Sequence, residues 1–332
     1  MRHDGHIPVL LDSTLGALAL RPGETALDCT AGLGGHAAAM AAAVGPSGVV
    51  VLNDADPSNL ALAEARLRGL EGGPRVVAMR GNFADAPRRL AELGLRAHAV
   101  LADLGFASTQ VEDASRGLSF QRDGPLDMRF DPASPTTAAD LVNTLGEREL
   151  VEILRDFGEE RDAPRIARKI VEERSREPIT TTARLADIVR TVSNPRRTAG
   201  TDRTSRSGPA RIDPATRTFQ ALRIVVNDEL GSLTMLLDSI GRASAALASG
   251  AASGAWLHPG ARIAIIAFHS LEDRLVKRAF DEWIDRGWAR AIGPGAGSRS
   301  RPVEATEDEE RRNPRSRSAK LRAIRIGPEV GR

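Results

Sequence analysis

The sequence has no tyrosine, a single cysteine and only three lysines among its 332 residues. One cysteine, Cys29, cannot form a disulfide within the chain, which favours a reducing compartment. There is no apolar run long enough to span a bilayer and no secretory signal pattern, so we expect a cytoplasmic protein with no membrane partner. No histidine and cysteine cluster has metal-site spacing, and Gly-x-Ser-x-Gly is missing. We therefore expect neither a metal centre nor a serine hydrolase.

Positive charge is unevenly distributed, although the formal net charge is only +2. Arginines are concentrated in residues 194–217 and again in residues 311–325. Such clusters suit contacts with nucleic-acid phosphates. A solvated surface rich in arginine would explain them equally well, so charge alone leaves both interpretations open.

Residues 24–104 alternate between strand and helix patterns. Asp56 and Pro57 are suited to be the N-cap and first residue of one of these helices. Short apolar runs separated by helices indicate parallel strands covered on both faces, which predicts a doubly wound α/β sheet. The predicted strands are 24–30, 48–54, 75–80, 97–104 and 261–268.

A second pattern interrupts the sheet. Residues 147–192 have helical periodicity throughout, and residues 193–213 contain almost no apolar side chains, as in a mobile loop. Helical periodicity returns over 214–247. We therefore expect a discontinuous sheet domain formed by 1–108 and 214–332, with an all-helical substrate-recognition domain inserted at 109–213.

The end of the chain is less regular. Residues 293–319 are acidic and then basic and resemble a flexible loop, and residues 321–326 are a candidate edge strand.

The stretch DCTAGLGGH, residues 28–36, joins the first predicted strand to a helix through a glycine-rich turn. Gly32, Gly34 and Ala37 fit the pattern G-x-G-x-x-A of dinucleotide sites, and Asp54 follows about twenty residues later. Asp28 would repel a pyrophosphate and favour a cation, and the turn has no lysine or arginine. These features favour S-adenosylmethionine over NAD, although a turn without a ligand stays open.

Asp103 lies near the end of the fourth predicted strand, and the irregular, charged segment 116–131 follows. Ligands of open α/β sheets bind outside the carboxyl ends of the strands, so we expect Asp103 in the same crevice. Arg116 and Arg129 in this segment suit RNA phosphates and ordinary salt bridges equally.

The sequence resembles the ribosomal RNA small subunit methyltransferase H family, also called MraW. The motifs that carry the resemblance run in order from about His6 to Arg325: HIPVLL, GLGGH, NDADP, DLGFASTQ, RGLSF, GPLDMRFD, PATRTFQALRIVVNDEL, FHSLEDRLVK and SRSAKLR. The resemblance implies a class I, Rossmann-like fold with a helical insertion. It also implies S-adenosylmethionine-dependent N4-methylation of a cytidine in the decoding region of 16S ribosomal RNA.

The resemblance also implies a cofactor site, with Asp54 on the ribose and Phe83 beside the adenine. Ala107 departs from the serine that is usual in the family, which puts a hydroxyl role at that position in doubt. The implied cofactor-binding residues are Gly34, Gly35, His36, Asp54, Phe83, Asp103 and Gln110.

Two residues are candidates for catalysis. A carboxylate that accepts a hydrogen bond from the cytosine amino group would orient it, and Asp103 is our hypothesis for this role. His269 is kept open as a substrate or positioning residue, while Ser270 and Asp273 resemble a helix cap. For His36, a packed surface histidine is the alternative to a cofactor contact.

Three functions compete at this point. They are the cytidine methyltransferase, an NAD-dependent oxidoreductase on the same fold, and a non-catalytic ribosome-assembly factor that keeps the cofactor pocket. The absence of tyrosine disfavours the oxidoreductase. The expected partner is 16S ribosomal RNA within the small subunit, and a homodimer is left open.

Overall fold

The computed structural model describes residues 7–193, 213–251, 256–293 and 297–327. The loop predicted at 193–213 lies, apart from its two end residues, outside the described residues. The chain divides into two compact units: unit 1 comprises 1–105 and 230–332, and unit 2 comprises 106–229. Across the described residues, no helix combines the length and apolar character needed to cross a membrane.

Eight strands form one sheet in the order β3-β2-β1-β4-β5-β8-β6, with β7 paired to β8. Neighbouring strands from β3 to β5 are parallel, and β8 is antiparallel to its neighbours. This confirms the predicted α/β fold class. The strands are β1 (Thr25–Asp28), β2 (Val49–Asp54), β3 (Arg75–Arg80), β4 (Ala97–Asp103), β5 (Leu257–Ala267), β6 (Ala289–Ala291), β7 (Val303–Glu304) and β8 (Lys320–Ile326).

The helices are α1 (Leu11–Leu18), α2 (Gly35–Val44), α3 (Pro57–Arg68), α4 (Ala86–Glu92), α5 (Ser108–Glu112), α6 (Ala138–Thr144), α7 (Glu147–Asp156), α8 (Ala163–Arg174), α9 (Thr182–Ser193), α10 (Ala215–Val226), α11 (Glu229–Ala248), α12 (Ser270–Asp285) and α13 (Glu307–Arg312).

The two faces of the sheet carry separate hydrophobic cores because successive strand residues point to opposite sides. In β5, Ile263 and Ile265 pack into a core shared with α4, α11 and α12. Ala264 and Ile266 pack on the other face, against α1, α2 and α3. The predicted start of α3 is confirmed, since the Asp56 side chain accepts a hydrogen bond from the Ser58 amide at 2.9 Å and Pro57 is the first helical residue.

Two expectations for the end of the chain are wrong. Strand β8 is an interior strand, because it pairs with β5 on one side and with β6 on the other, and its Arg322 is buried against Asp273. The segment predicted as a flexible loop contains β7, α13 and a 3-10 turn at Pro314–Ser318. It is fastened to the other end of the chain, since the Leu10 amide donates to Glu309 Oε1 at 2.6 Å.

The described residues of unit 2 form helices and connecting turns, with one isolated bridge between Pro125 and Thr181. Its core is formed by α6 to α10, with Phe219 buried against the edge of the Phe120 ring at a centroid distance of 4.9 Å. Phe219 is therefore a core residue of unit 2. Helix α10 belongs to this unit, which extends to Glu229 and not to the expected boundary at 213, because Phe219 and Leu222 share the core of α7 and α9.

Candidate active site

Acidic residues end three adjacent strands of the sheet. Asp28, Asp54 and Asp103 are the last residues of β1, β2 and β4, and β1 lies between the other two. Because the three strands are parallel, their carboxyl ends meet at one edge. The sequence-predicted acids of unit 1 are therefore brought to the same edge of the sheet.

The glycine-rich turn leads from β1 into α2 along this edge. Gly34 has a φ of +74°, and a Cβ there would lie 3.0 Å from Cα of Ala63 in α3. A side chain is thus excluded both by the backbone conformation and by the neighbouring helix. The Gly32 amide donates a hydrogen bond to Asp54 Oδ2 at 2.7 Å, so the turn is joined to the end of β2.

Asp28 is buried, with one oxygen satisfied and one not. Its Oδ1 accepts a hydrogen bond from the Thr30 amide at 3.2 Å, whereas Oδ2 has no hydrogen-bond partner among the described residues. Burial raises the pKa of Asp28 to about 7, although the His36 ring and the Thr30 amide act in the opposite direction. A buried carboxylate of this kind is suited to a cationic ligand.

Asp54 accepts hydrogen bonds on both oxygens, from the Gly32 amide and, at 2.8 Å, from the Asp56 amide. Burial raises its pKa to about 6. Each carboxylate oxygen has a second lone pair. Asp54 is therefore held in place by the backbone and keeps acceptor capacity for hydroxyl groups.

One carboxylate oxygen of Asp103 has no hydrogen-bond partner among the described residues, and the other lies near a histidine. Its Oδ1 is buried with no hydrogen-bond partner in the described part of the chain, and its Oδ2 lies 3.5 Å from His36 Nδ1. Burial raises the pKa of Asp103 to about 7, the Arg315 charge opposes this shift, and Glu272 adds to it. The Asp103 amide donates to Thr30 Oγ1 at 2.7 Å. Thr30 and Arg315 are neighbours of this site that the sequence did not indicate.

His36 is buried, so the expected alternative of a surface histidine is wrong. Its Nε2 lies 2.9 Å from the Val9 carbonyl oxygen. Burial lowers the pKa of His36, and the nearby Asp28 partly opposes this effect. Residues 7–10 also cover the next residue along the turn, since a Cβ on Gly35 would be 2.5 Å from Pro8 Cγ.

Two further expected cofactor contacts lie on different units. Phe83 begins a short 3-10 turn after β3 and packs, half-buried, against the core of unit 1. Gln110 lies in α5 of unit 2, and its Oε1 accepts from the Ala107 amide at 2.9 Å. Ala107 is the residue before α5 and has no side chain that can cap it. The Gln110 amide group therefore supplies this helix start with a side-chain hydrogen bond.

His269 precedes α12, and the expected cap at Ser270 and Asp273 is wrong. Glu272 Oε2 accepts from the Phe268 amide at 2.9 Å and thus performs the capping role. Asp273 pairs with Arg322 instead. His269 Nε2 lies 3.3 Å from Glu272 Oε1. The carboxylate is therefore close to the candidate histidine as well as to the helix end.

The two arginines of the charged segment 116–131 that were considered for RNA binding have structural partners in unit 2. Arg129 contacts both carboxylate oxygens of Asp127, at 2.8 and 2.7 Å. Arg116 donates to the Phe130 carbonyl at 2.7 Å. These contacts favour the salt-bridge and structural interpretation over contacts with RNA phosphate.

The donor set at the sheet edge fits S-adenosylmethionine better than a dinucleotide. Two buried carboxylate oxygens without partners, on Asp28 and Asp103, favour a positively charged ligand. Asp54 can accept from ribose hydroxyls, and the turn from Thr30 to His36 has no basic side chain other than a histidine to offset pyrophosphate charge.

Comparison with known proteins agrees with this chemistry. The model of the MraW methylase family matches residues 3–326. The chain belongs to the MraW methylase family. The oxidoreductase alternative is thereby set aside, and the sheet is the Rossmann-like sheet of a methyltransferase.

Curated relatives of this MraW methylase are similar along their whole length. A protein of Acidobacterium capsulatum named ribosomal RNA small subunit methyltransferase H is 41% identical over 97% of this chain and 99% of its own. A protein of Thermomicrobium roseum with the same name is 44% identical over 96% of this chain and 92% of its own. A solved structure of a methyltransferase homolog protein from Pyrococcus horikoshii aligns with 95% of this chain and 65% of its own, at 12% identity and a TM-score of 0.39.

Proposed function

We propose that this MraW methylase transfers a methyl group from S-adenosylmethionine to N4 of a cytidine in the decoding region of 16S ribosomal RNA. The observation that carries the proposal is the set of three strand-end carboxylates, two of which have buried oxygens without a hydrogen-bond partner among the described residues. The names of the curated relatives support ribosomal RNA of the small subunit as the substrate.

Each residue at the sheet edge is proposed to contact a different part of the cofactor. Asp54 would accept from the ribose hydroxyls, and Asp28 would balance the positive charge of the ligand. Gly34 and Gly35 would let the backbone approach it, and Phe83 would contact the adenine. His36 completes the proposed set on unit 1, while Gln110, which the family resemblance implies as a cofactor residue, lies on unit 2.

Asp103 is the proposed catalytic residue. S-adenosylmethionine, when bound, supplies an electrophilic methyl group on a sulfonium centre. The N4 lone pair of cytosine is delocalised into the ring, so the protein must orient the amino group and favour its pyramidal form. Asp103 Oδ1 would accept a hydrogen bond from this amino group, which fixes its direction and localises its lone pair. Positioning of this kind is worth up to roughly 7–11 kcal/mol in favourable model reactions.

His269 is proposed to contact or position the substrate from the start of α12, next to Glu272. The cytidine must leave its stack to reach a buried carboxylate, as in other enzymes that modify bases. We propose that unit 2 and the arginine-rich residues 194–217 bind the surrounding RNA, and that small subunits in the cytoplasm are the substrate. The residues from 194 to 212 lie outside those described.

The decisive experiment uses small subunits purified from cells that lack this gene. The full-length protein and methyl-labelled S-adenosylmethionine should label 16S RNA, and mass mapping should place the methyl group on N4 of one cytidine in the decoding region. Label on another base would contradict the proposed position. A protein that binds subunits without transferring methyl groups would be an assembly factor.

Replacement of the proposed catalytic carboxylate gives a sharper test. Asp103→Asn keeps the size of the side chain and removes the charge, so we expect transfer to fall by about 100-fold or more. The matched control is Asp238→Asn, at an exposed position of α11 in unit 1, which should transfer at the normal rate. Normal transfer by Asp103→Asn would remove Asp103 from the mechanism.

A further inference from the structure

The contacts of His36 determine where its protons lie. Nε2 is 2.9 Å from the Val9 carbonyl oxygen, which can only accept a hydrogen bond. Nε2 therefore carries a proton. In the neutral ring Nδ1 is then unprotonated, and its lone pair faces Asp103 Oδ2 at 3.5 Å.

A lone pair and an ionised carboxylate repel each other at this distance, whereas one proton between them makes the contact favourable. Asp103 and His36 can thus share a single proton, as an acid beside a neutral ring or as a carboxylate beside an imidazolium. Both forms have zero net charge, which a buried site tolerates far better than a single charge.

The segment 7–10, whose Val9 carbonyl contacts His36, is held in place by residues near the other end of the chain. The Leu10 amide, next to Val9, donates to Glu309 Oε1 at 2.6 Å, and Asn313 Nδ2 donates to the Ile7 carbonyl at 2.9 Å. The segment that carries the Val9 carbonyl is therefore held at both ends. The ring is kept in one tautomer by contacts that do not involve the substrate.

We propose that the His36–Asp103 pair receives the proton that leaves the methylated nitrogen, an inference that rests on the proposed function. The N–H bond breaks, its electron pair stays on nitrogen, and the proton moves to a carboxylate oxygen of Asp103. From this acid the proton passes to Nδ1 of His36, whose lone pair forms the new N–H bond. For this step the pair must start unprotonated, so the proton that it holds in the ligand-free protein leaves when the positively charged donor binds. After product release His36 loses the transferred proton to solvent, and Asp103, again a carboxylate beside a neutral ring, can accept from the next amino group. His36 is a positioning residue, because it acts through Asp103.

Conservation of charge gives a physical reason for this arrangement. Methyl transfer removes one positive charge from the sulfonium donor, and the proton that leaves nitrogen carries one positive charge. If the pair holds this proton, the buried edge of the sheet has the same net charge before and after transfer. The other charges that face the pair are Asp28 on β1, Glu272 on α12 and Arg315 in the 3-10 turn.

The pair can be tested without activity, by nitrogen NMR of histidine-labelled, ligand-free protein. The His36 signals, assigned from their loss in His36→Gln, should show the proton on Nε2. The Nδ1 shift should change with a step near pH 7, where Asp103 titrates, and this step should be absent in Asp103→Asn. An Nε2 that lacks a proton, or the same titration in Asp103→Asn, would overturn the inference.

The kinetic test uses single turnovers at saturating donor. The glutamine of His36→Gln can still donate to the Val9 carbonyl but cannot take up a proton, so the rate should fall about 100-fold at neutral pH. Added imidazole should restore part of the lost rate of this variant. His258→Gln, an exposed histidine at the other end of β5, is the matched control and should keep the normal rate.

The outcomes separate this inference from the proposed function. If the unmodified protein methylates ribosomal RNA and His36→Gln does so equally fast at every pH, the relay is wrong and the proposed function stands. If the unmodified protein transfers no methyl group to any RNA, the proposed function fails and the relay fails with it.

Discussion

At the residue scale, the candidate site depends on carboxyl groups that the fold has placed in an unfavourable environment. Asp28 is buried between strands with a raised pKa, and one of its oxygens has no partner among the described residues. Such a group costs stability when it is ionised, and it regains favourable interactions when a cation binds. Buried carboxyl groups with strongly shifted pKa values are typical of functional sites.

Asp28→Asn should therefore stabilise the ligand-free protein while weakening donor binding. The folded pKa of about 7 lies above the value in the unfolded chain, roughly 3.9, so the folded state retains its proton between these values. Stability from this proton is present at low pH and is lost as the pH rises through that window. The variant should melt at a higher temperature than the unmodified protein at pH 8, and the difference should shrink as the pH falls toward 4.

Calorimetric titration of S-adenosylmethionine at pH 8 checks the second half of this prediction. Asp85→Asn, at an exposed acid near α4, is the control and should bind normally. Equal affinity of Asp28→Asn and the unmodified protein would show that Asp28 does not face the ligand.

Sequence analysis predicted the three acids because each follows an apolar run that ends at the same edge of a parallel sheet. It could not predict the neighbours of Asp103. Arg315 comes from a segment without periodicity, more than 200 positions along the chain, and Thr30 acts through a hydroxyl that accepts a backbone hydrogen bond. Such contacts depend on tertiary structure and leave no local pattern.

At the element scale, β8 shows why the edge prediction failed. Its alternation of charged and apolar residues is typical of a strand with one exposed face, yet Arg322 is buried. The guanidinium donates to Asp273 on α12 at 2.7 and 3.1 Å and also contacts the Ser300 carbonyl. A partner far along the chain thus turns a surface-type residue into an interior one.

Arg322→Ala should destabilise the protein strongly, because it leaves the Asp273 carboxylate half-buried without its partner. We expect a loss of about 3–5 kcal/mol in the free energy of unfolding, measured with urea. Arg286→Ala is the control, since Arg286 forms an exposed pair with Glu282 on the same helix end, worth about 0–1 kcal/mol. Similar losses in both variants would contradict a buried role for Arg322.

A turn at the start of the charged segment 116–131 requires a glycine. Gly117 has a φ of +64°, and a Cβ there would lie 2.1 Å from the Pro125 carbonyl oxygen. Gly117→Ala should therefore cost at least about 1–3 kcal/mol of stability. Gly16→Ala in α1, where a Cβ would contact nothing within 4 Å, should instead stabilise the protein by about 0.5–1 kcal/mol. Thermal melts of the two variants give the comparison.

At the scale of the whole molecule, each of the two units has its own hydrophobic core. The alternation of strands and helices made the sheet predictable, and the long helical periodicity made unit 2 predictable. The boundary at Glu229 was not predictable, because α10 has an apolar face that suits either core and only packing selects one.

Calorimetric melting should therefore respond to changes in each unit separately. Gly117→Ala should lower the transition of unit 2, and S-adenosylmethionine should raise the transition of unit 1, to which six of the seven proposed cofactor residues belong. A single transition that shifts as a whole in both experiments would show that the units unfold together.

The hydrogen bond between the Leu10 amide and Glu309 has a consequence for synthesis. Protein chains grow from the N-terminus at roughly 5–20 residues per second, so residues 7–10 wait on the order of 15–60 seconds for the segment that fastens them. The Val9 carbonyl cannot be anchored, and the tautomer of His36 cannot be fixed, until α13 has left the exit tunnel. A nascent chain can therefore build most of its sheet while its reaction centre is still unfinished.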